Sequence, residues 1–333
     1  TLRVDHLGLG GHSLPTSPNL DRLAGGGTIF SDVMAPAPWT LPSFAGALTG
    51  LMPGLHGGFL AETVRNMDTE APRSLNPEVA TLASHLGNLG FRTAAFYSNE
   101  FFAFGLAESF DHHRYLNLPA SGLAAAALDW IRRHGDRPFF CFVLMNDPHE
   151  PTTPPAAHLA PFLESTLAAG GDPSPAQLRR YSRWGDPPAV ELGRTGPTLD
   201  PEARAALALK LAIYDATIHE VDEAIAGLDE QLRKWGLADR TLVSVFADHG
   251  EEFLDHAEFA HAWDHDPRPI RGIGHGHTHF QELLHVPWLA WGPGVPRGVR
   301  CGRPVSLLDL SPTVLDWLQL APLPLDRESQ NVL

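Results

Sequence analysis

The segment Thr241-Leu242-Val243-Ser244-Val245-Phe246-Ala247 constrains the fold of this chain more than any other. It is a short apolar run rich in branched and aromatic residues, which reads as a buried strand. A helical stretch, Glu202–Trp235, precedes it, and Asp248-His249-Gly250-Glu251-Glu252 follows it directly. Strands fed by helices belong to a mostly parallel sheet covered on both faces. The same alternation recurs along the chain. Asn19–Ala24, Pro42–Thr49, Thr81–Leu89, Leu123–His134 and Leu307–Leu318 read as helices. Arg92–Tyr97, Phe139–Met145 and Val286–Trp291 read as strands. There is no internal repeat. The prediction is a single α/β domain over residues 1–333, with helices on both faces of the central sheet. Two stretches lack clear periodicity, Gly170–Asp200 and Leu254–Ile273. They are expected to be surface insertions, within 163–201 and 254–273, that rim a pocket.

The chemistry concentrates at two places. Pro38-Trp39-Thr40-Leu41-Pro42-Ser43 sets a hydroxyl just before an expected helix start. Pro42 suits the first turn because its missing N–H has no partner there. The free N–H groups and dipole of such a helix end favour an anion. A hydroxyl in that position is a nucleophile only if its pKa is lowered; otherwise Thr40 is a helix cap. Asp248 and His249 supply the missing element. An acid and an imidazole at the C-terminal end of a strand suit a metal site at the open edge of the sheet. A metal beside Thr40 would lower the hydroxyl pKa as a Lewis acid. The mixed oxygen and nitrogen donors favour manganese or zinc, with magnesium and calcium as the other candidates.

With these segments in view the chain resembles the sulfatase family of the alkaline phosphatase superfamily. The matching segments fall in order along the chain. They are Leu2-Arg3-Val4-Asp5-His6-Leu7-Gly8, Ser17–Ala24, the Thr40 motif through His56-Gly57, and Asp147-Pro148-His149-Glu150-Pro151. Asp248–Glu251, Gly274-His275-Gly276, Glu282–Pro287 and Leu308–Thr313 complete the series. The resemblance implies an alkaline-phosphatase-like three-layer sandwich. It implies Thr40 as nucleophile and metal ligand, and Asp248 and His249 as further ligands of one divalent ion. It also implies His149 and His275 as groups at the ester oxygens or leaving group, and Ser43 and Asn99 as substrate contacts.

The departures from that family bear on the chemistry. Its sulfatases carry Cys-x-Pro-Ser-Arg, whose cysteine becomes the attacking formylglycine. Here Thr40 stands at the cysteine position and Phe44 at the arginine position, so no formylglycine is expected. The Gly-Lys-Trp-His motif of arylsulfatases is replaced by Phe96-Tyr97-Ser98-Asn99. Family members place a ligand aspartate just before Thr-Leu-Arg and a smaller subdomain near the C-terminus. Both are expected to lie outside this chain.

Other residues carry structural readings. Arg3 and Asp5 are expected to brace the first loop, and Asp222 to serve structure in the helix that also carries Tyr214 and Asp215. His277 is expected outside the site. Asp255, His256, His261, Asp264, His265 and Asp266 match no standard metal spacing and read as a solvated loop. Cys141 lies in an apolar run as an inert thiol, and with Cys301 it makes no disulfide framework.

A formal charge of −15 argues against a nucleic-acid partner, which demands basic surface. No run reaches the ~18 apolar residues of a membrane span. The sequence is silent on compartment and oligomeric state. The expected function is metal-dependent hydrolysis or transfer of a small anionic ester, a phosphomonoester or diester, through Thr40. The alternatives are a sulfuric ester hydrolase without formylglycine and a degenerate member that only binds an anion.

Overall fold

The computed structural model describes residues 1–58, 74–167, 173–182, 201–256 and 272–324. Its strands form two principal sheets. One is wholly parallel, in the order His112–Tyr115, Arg92–Tyr97, Phe139–Leu144. The other has the order Val299–Cys301, Thr28–Phe30, Trp288–Trp291, Val243–Phe246. Its outer pair, Thr28–Phe30 with Val299–Cys301, is parallel. Trp288–Trp291 runs antiparallel to both of its neighbours. The mostly parallel sheet is therefore interrupted at one strand, which the sequence reading did not orient.

Side-chain alternation along these strands makes the layers. Ala94 and Phe96 pack on helix Ala120–His134, whereas Ala95 and Tyr97 face the opposite side. In the second sheet Leu289 and Trp291 meet helices Pro18–Gly25 and Pro201–Lys234, and Trp288 faces the other way. That other face is covered by Thr40–Thr49, Leu82–Asn88 and Leu310–Trp317. A period of two in the strands thus feeds two helix layers, giving the three-layer α/β sandwich. Phe44 joins the two sheets, its ring 5.6 Å from Phe142 and 5.9 Å from Phe246.

Most element boundaries fall within one to three residues of the sequence expectation. Leu82–Asn88 starts on a capping box in which Thr81 accepts from the Ser84 amide. The Pro201–Lys234 helix spans the expected Glu202–Trp235. The Gly- and Pro-rich stretch is not irregular throughout. Ser174 caps a helix, Pro175–Tyr181, and Tyr181 is buried beside Leu159, Leu209 and Ile213. The rest of the two expected insertions, 168–172, 183–200 and 257–271, lies outside the described residues, as do His261, Asp264, His265 and Asp266.

The structural readings of single residues can be followed in place. Arg3 is buried, holding Asp5 and Asp255 with its guanidinium and the Glu251 carbonyl with Nη1. Asp222 accepts from the Asn19 and Leu20 amides and so caps helix Pro18–Gly25 from across the interface. Burial pushes the Cys141 thiol up to about 12. Among the described residues no helix is long and apolar enough to cross a membrane.

Candidate active site

The Thr40 helix begins two residues earlier than the sequence suggested. Trp39 is its extended N-cap, Thr40 its first residue, and Pro42 its third. The Thr40 side chain makes no capping bond. Its hydroxyl instead lies 3.4 Å from His249 Nε2 and 3.4 Å from Asn99 Nδ2, and the residue is only 3% exposed. Gly50, at φ 71°, ends this helix in the left-handed conformation that favours glycine. Ser43 donates its hydroxyl to the Asp248 carbonyl, which ties the helix to the end of strand Val243–Phe246.

The other half of the site hangs from that strand. Beyond Phe246 the chain delivers Asp248 and His249, both buried. Gly250 is required by close approach: a Cβ there would stand 1.8 Å from the Glu282 carbonyl oxygen. His249 Nδ1 donates to the Gly250 carbonyl at 2.8 Å, which leaves the Nε2 lone pair toward Thr40 and Asp248. Burial holds the His249 pKa well below its ordinary value, with His275 adding to the effect. Asp248 Oδ1 accepts from the Thr1 amine at 2.9 Å, and Oδ2 lies 3.3 Å from His249 Nε2.

These distances test the expected ion. Two ligands about 2.0–2.4 Å from one divalent ion, at right or tetrahedral angles, stand roughly 2.8–3.9 Å apart. The 3.3 Å between Asp248 and His249 and the 3.4 Å between His249 and Thr40 fall within that range. The donor set, a carboxylate, a neutral imidazole and a hydroxyl, fits a divalent metal.

His149 and His275 complete the cluster. Their rings are 5.0 Å apart, and the His249 and His275 rings 4.3 Å. His149 Nδ1 donates to the Glu150 carbonyl. Burial, then the neighbouring His275, pushes its pKa down to about 4. His275 Nδ1 lies 3.0 Å from Glu251 Oε1. Burial alone would raise Glu251, but His275 and His149 hold it below the usual carboxylate range. Asn99, 7% exposed, also donates to Asn146 Oδ1 at 3.3 Å. The seven residues singled out from sequence therefore form one cluster, with Thr40, Ser43, Asn99, Asp248 and His249 buried and His149 and His275 half-buried. His277 turns away from it and pairs with Glu252.

Sequence reasoning missed Glu251, Asn146 and the Lys210–Glu150 pair. Glu251 was visible as the acid after Gly250, but its service to His275 was not. Lys210 and Glu150 are buried partners from the long helix and the His149 loop. Burial lowers Lys210 to about 8. A lysine on an apolar helix face gives no local sign of such a partner.

The comparisons with known proteins concern the family and the fold. Arylsulfatase K of Danio rerio is 33% identical over 105 residues, 32% of this chain and 17% of that protein. N-sulphoglucosamine sulphohydrolase of Homo sapiens is 24% identical over 314 residues, 93% of this chain and 57% of that protein. The chain thus spans well under two thirds of either relative. Among solved structures, BT4656 in complex with its substrate D-glucosamine-2-N,6-O-disulfate shares the fold. Its TM-score is 0.71 at 19% identity, covering 96% of this chain and 75% of that one. The phosphonate monoester hydrolase of Agrobacterium radiobacter gives 0.65 at 21% identity, covering 97% and 72%. The sulfatase family model matches residues 1–320, nearly the whole sequence, and the chain belongs to the sulfatase family.

Proposed function

We propose that this chain carries the catalytic centre of a metal-dependent hydrolase or transferase of anionic esters, with Thr40 as nucleophile. The observation that supports it is the Thr40 hydroxyl itself. It is buried, caps nothing, and lies between the His249 lone pair and the Asn99 amide. Asp248, His249 and Thr40 would hold the divalent ion, which when bound lowers the hydroxyl pKa and draws charge from the ester oxygens.

The chain's own groups then divide the work. Thr40 Oγ1, its proton lost to solvent at the lowered pKa, attacks phosphorus or sulfur in line as the bond to the alcohol oxygen breaks. The N–H groups at the start of helix Thr40–Thr49 and Asn99 Nδ2 donate to the non-bridging oxygens. His275, backed by Glu251, delivers a proton to the departing alcohol, and His149, held neutral by burial, would contact the ester oxygens. Water then attacks the esterified threonine, releasing phosphate or sulfate, or a phosphomonoester where the substrate was a diester. An acceptor alcohol instead carries the group away as a new ester. In each case the attacking group's proton restores the Thr40 hydroxyl.

Phe44 at the motif's arginine position removes one cation, and Lys210 is already paired with Glu150. That charge balance favours esters bearing one negative charge over dianionic phosphomonoesters. A phosphodiester is the first substrate class to test. A sulfate ester is the second reading, favoured by family membership and by the two relatives, whose names are those of sulfatases. The test is parallel rates on an aryl sulfate, an aryl phosphodiester and an aryl phosphomonoester, with manganese or zinc supplied. Turnover should fall at least about 10³-fold in Thr40→Ala with the melting temperature kept. An active Thr40→Ala enzyme would sink the nucleophile. A folded, metal-loaded protein inert on all three esters would leave an anion-binding protein.

A further inference from the structure

We infer that the crossing of helices Ala156–Leu167 and Pro201–Lys234 carries a second divalent-metal site, built from His158, His219 and Glu223 and suited to zinc. His219 and Glu223 are one turn apart on the long helix, so both present to the same neighbour. His158 comes from the facing helix, and its ring stands 5.4 Å from that of His219. The Glu223 carboxylate offers one oxygen to each imidazole. Oε2 is 3.7 Å from His158 Nε2, and Oε1 is 3.7 Å from His219 Nε2.

Those separations are too long for hydrogen bonds and close to the spacing of ligands around one ion. The three donor atoms lie within 4.8 Å of one another. His219 Nδ1 is buried without a hydrogen-bond partner, and Phe162 packs edge-on at 5.9 Å against the same ring. With Nε2 also beyond hydrogen-bond range of Glu223, an ion at Nε2 would give this ring the partner the protein leaves out. The contrast is with His6, His12 and Asp215, where bonds of 2.6 and 3.1 Å already satisfy the facing nitrogens. Two imidazoles and a carboxylate, with the fourth position open to water, are a donor set that zinc accepts. The ion would pin the helix that follows the His149 loop to the long helix, holding that loop in place. This reading is independent of the chemistry proposed for Thr40.

The test is a metal count and a cobalt(II) titration on the stripped and reloaded chain. Wild type, His158→Ala/His219→Ala, Glu223→Gln and Asp248→Asn are compared. The histidine double variant should bind one ion fewer than wild type and lose part of the zinc-induced rise in melting temperature. Asp248→Asn should leave the visible bands of cobalt at the helix crossing unchanged. Glu223 is exposed, so Glu223→Gln should fold normally and weaken cobalt binding by about tenfold or more. Equal ion counts and equal cobalt affinity in wild type, the double variant and Glu223→Gln would overturn the site.

Discussion

Two groups of closely packed histidines lie at opposite ends of the chemistry in this molecule. His149, His249 and His275 meet beside Thr40, with ring spacings of 5.0 and 4.3 Å. His6 and His12 stack at 4.8 Å in the first loop. The spacings are alike, but the partners are not. His249 and His149 each give a ring N–H to a backbone carbonyl, and burial keeps both pKa values low. His6 and His12 share the carboxylate of Asp215, and that hydrogen bond raises His12. A carbonyl partner leaves a neutral imidazole with a lone pair to give to a metal or a proton. A carboxylate partner favours the charged ring; Asp215 is such a partner in the first loop, as a brace, and Glu251 is one beside Thr40, at His275. The Thr40 cluster uses both kinds of partner, the first loop only one.

Breaking each group should therefore have different consequences. The largest effect is expected at the first. Replacing His275 by alanine should lower kcat by about 10²–10⁴-fold while the unfolding midpoint stays close to wild type. A kcat unchanged in both His275→Ala and His149→Ala would erase the distinction. Next in size is Asp215→Asn, which removes the carboxylate charge and one of the two oxygens that the loop histidines share. It should cost about 1–3 kcal/mol of stability near pH 6, read by urea denaturation. Its kcat should remain within a fewfold of wild type, since Asp215 does not touch the Thr40 cluster.

The smallest effects sharpen the comparison through pH. His149, at about 4 when folded and about 6.5 when unfolded, takes up a proton on unfolding between those values. Its contribution to stability is whole above about pH 6.5 and fades as pH falls toward 4. His12 runs the other way. Its raised pKa gives a contribution complete below about 6.5 and lost as pH rises through the folded value. Denaturation of the metal-free chain between pH 4 and 8 should show both slopes. His149→Ala should flatten the acidic one, and His12→Ala the other.

Much of the site was legible because it sits on short motifs at element ends. Thr40, Pro42 and Ser43 are local to one helix start, and Asp248, His249 and Gly250 to one strand end, so their mutual placement followed once the strand was read. The layers followed from apolar periodicity in Arg92–Tyr97 and Phe139–Leu144. The helix start was misplaced because Pro42 occupies the third position as readily as the first, neither needing its N–H. The antiparallel course of Trp288–Trp291 was not legible, since an apolar run carries no sign of its direction. Nor was the partner of Lys210, which stands 60 residues away in sequence (210 − 150).

By itself the sequence determined the α/β class, the family and the residues that gather around Thr40. Those properties are written in hydrophobic period and in motifs of a few adjacent residues. The tertiary structure alone decided that Glu251 serves His275, that Asp215 binds two histidines, and that His158 meets His219 and Glu223. Each depends on side chains from distant elements converging in low-dielectric surroundings, where a few tenths of an ångström and one carboxylate set the charge of a ring.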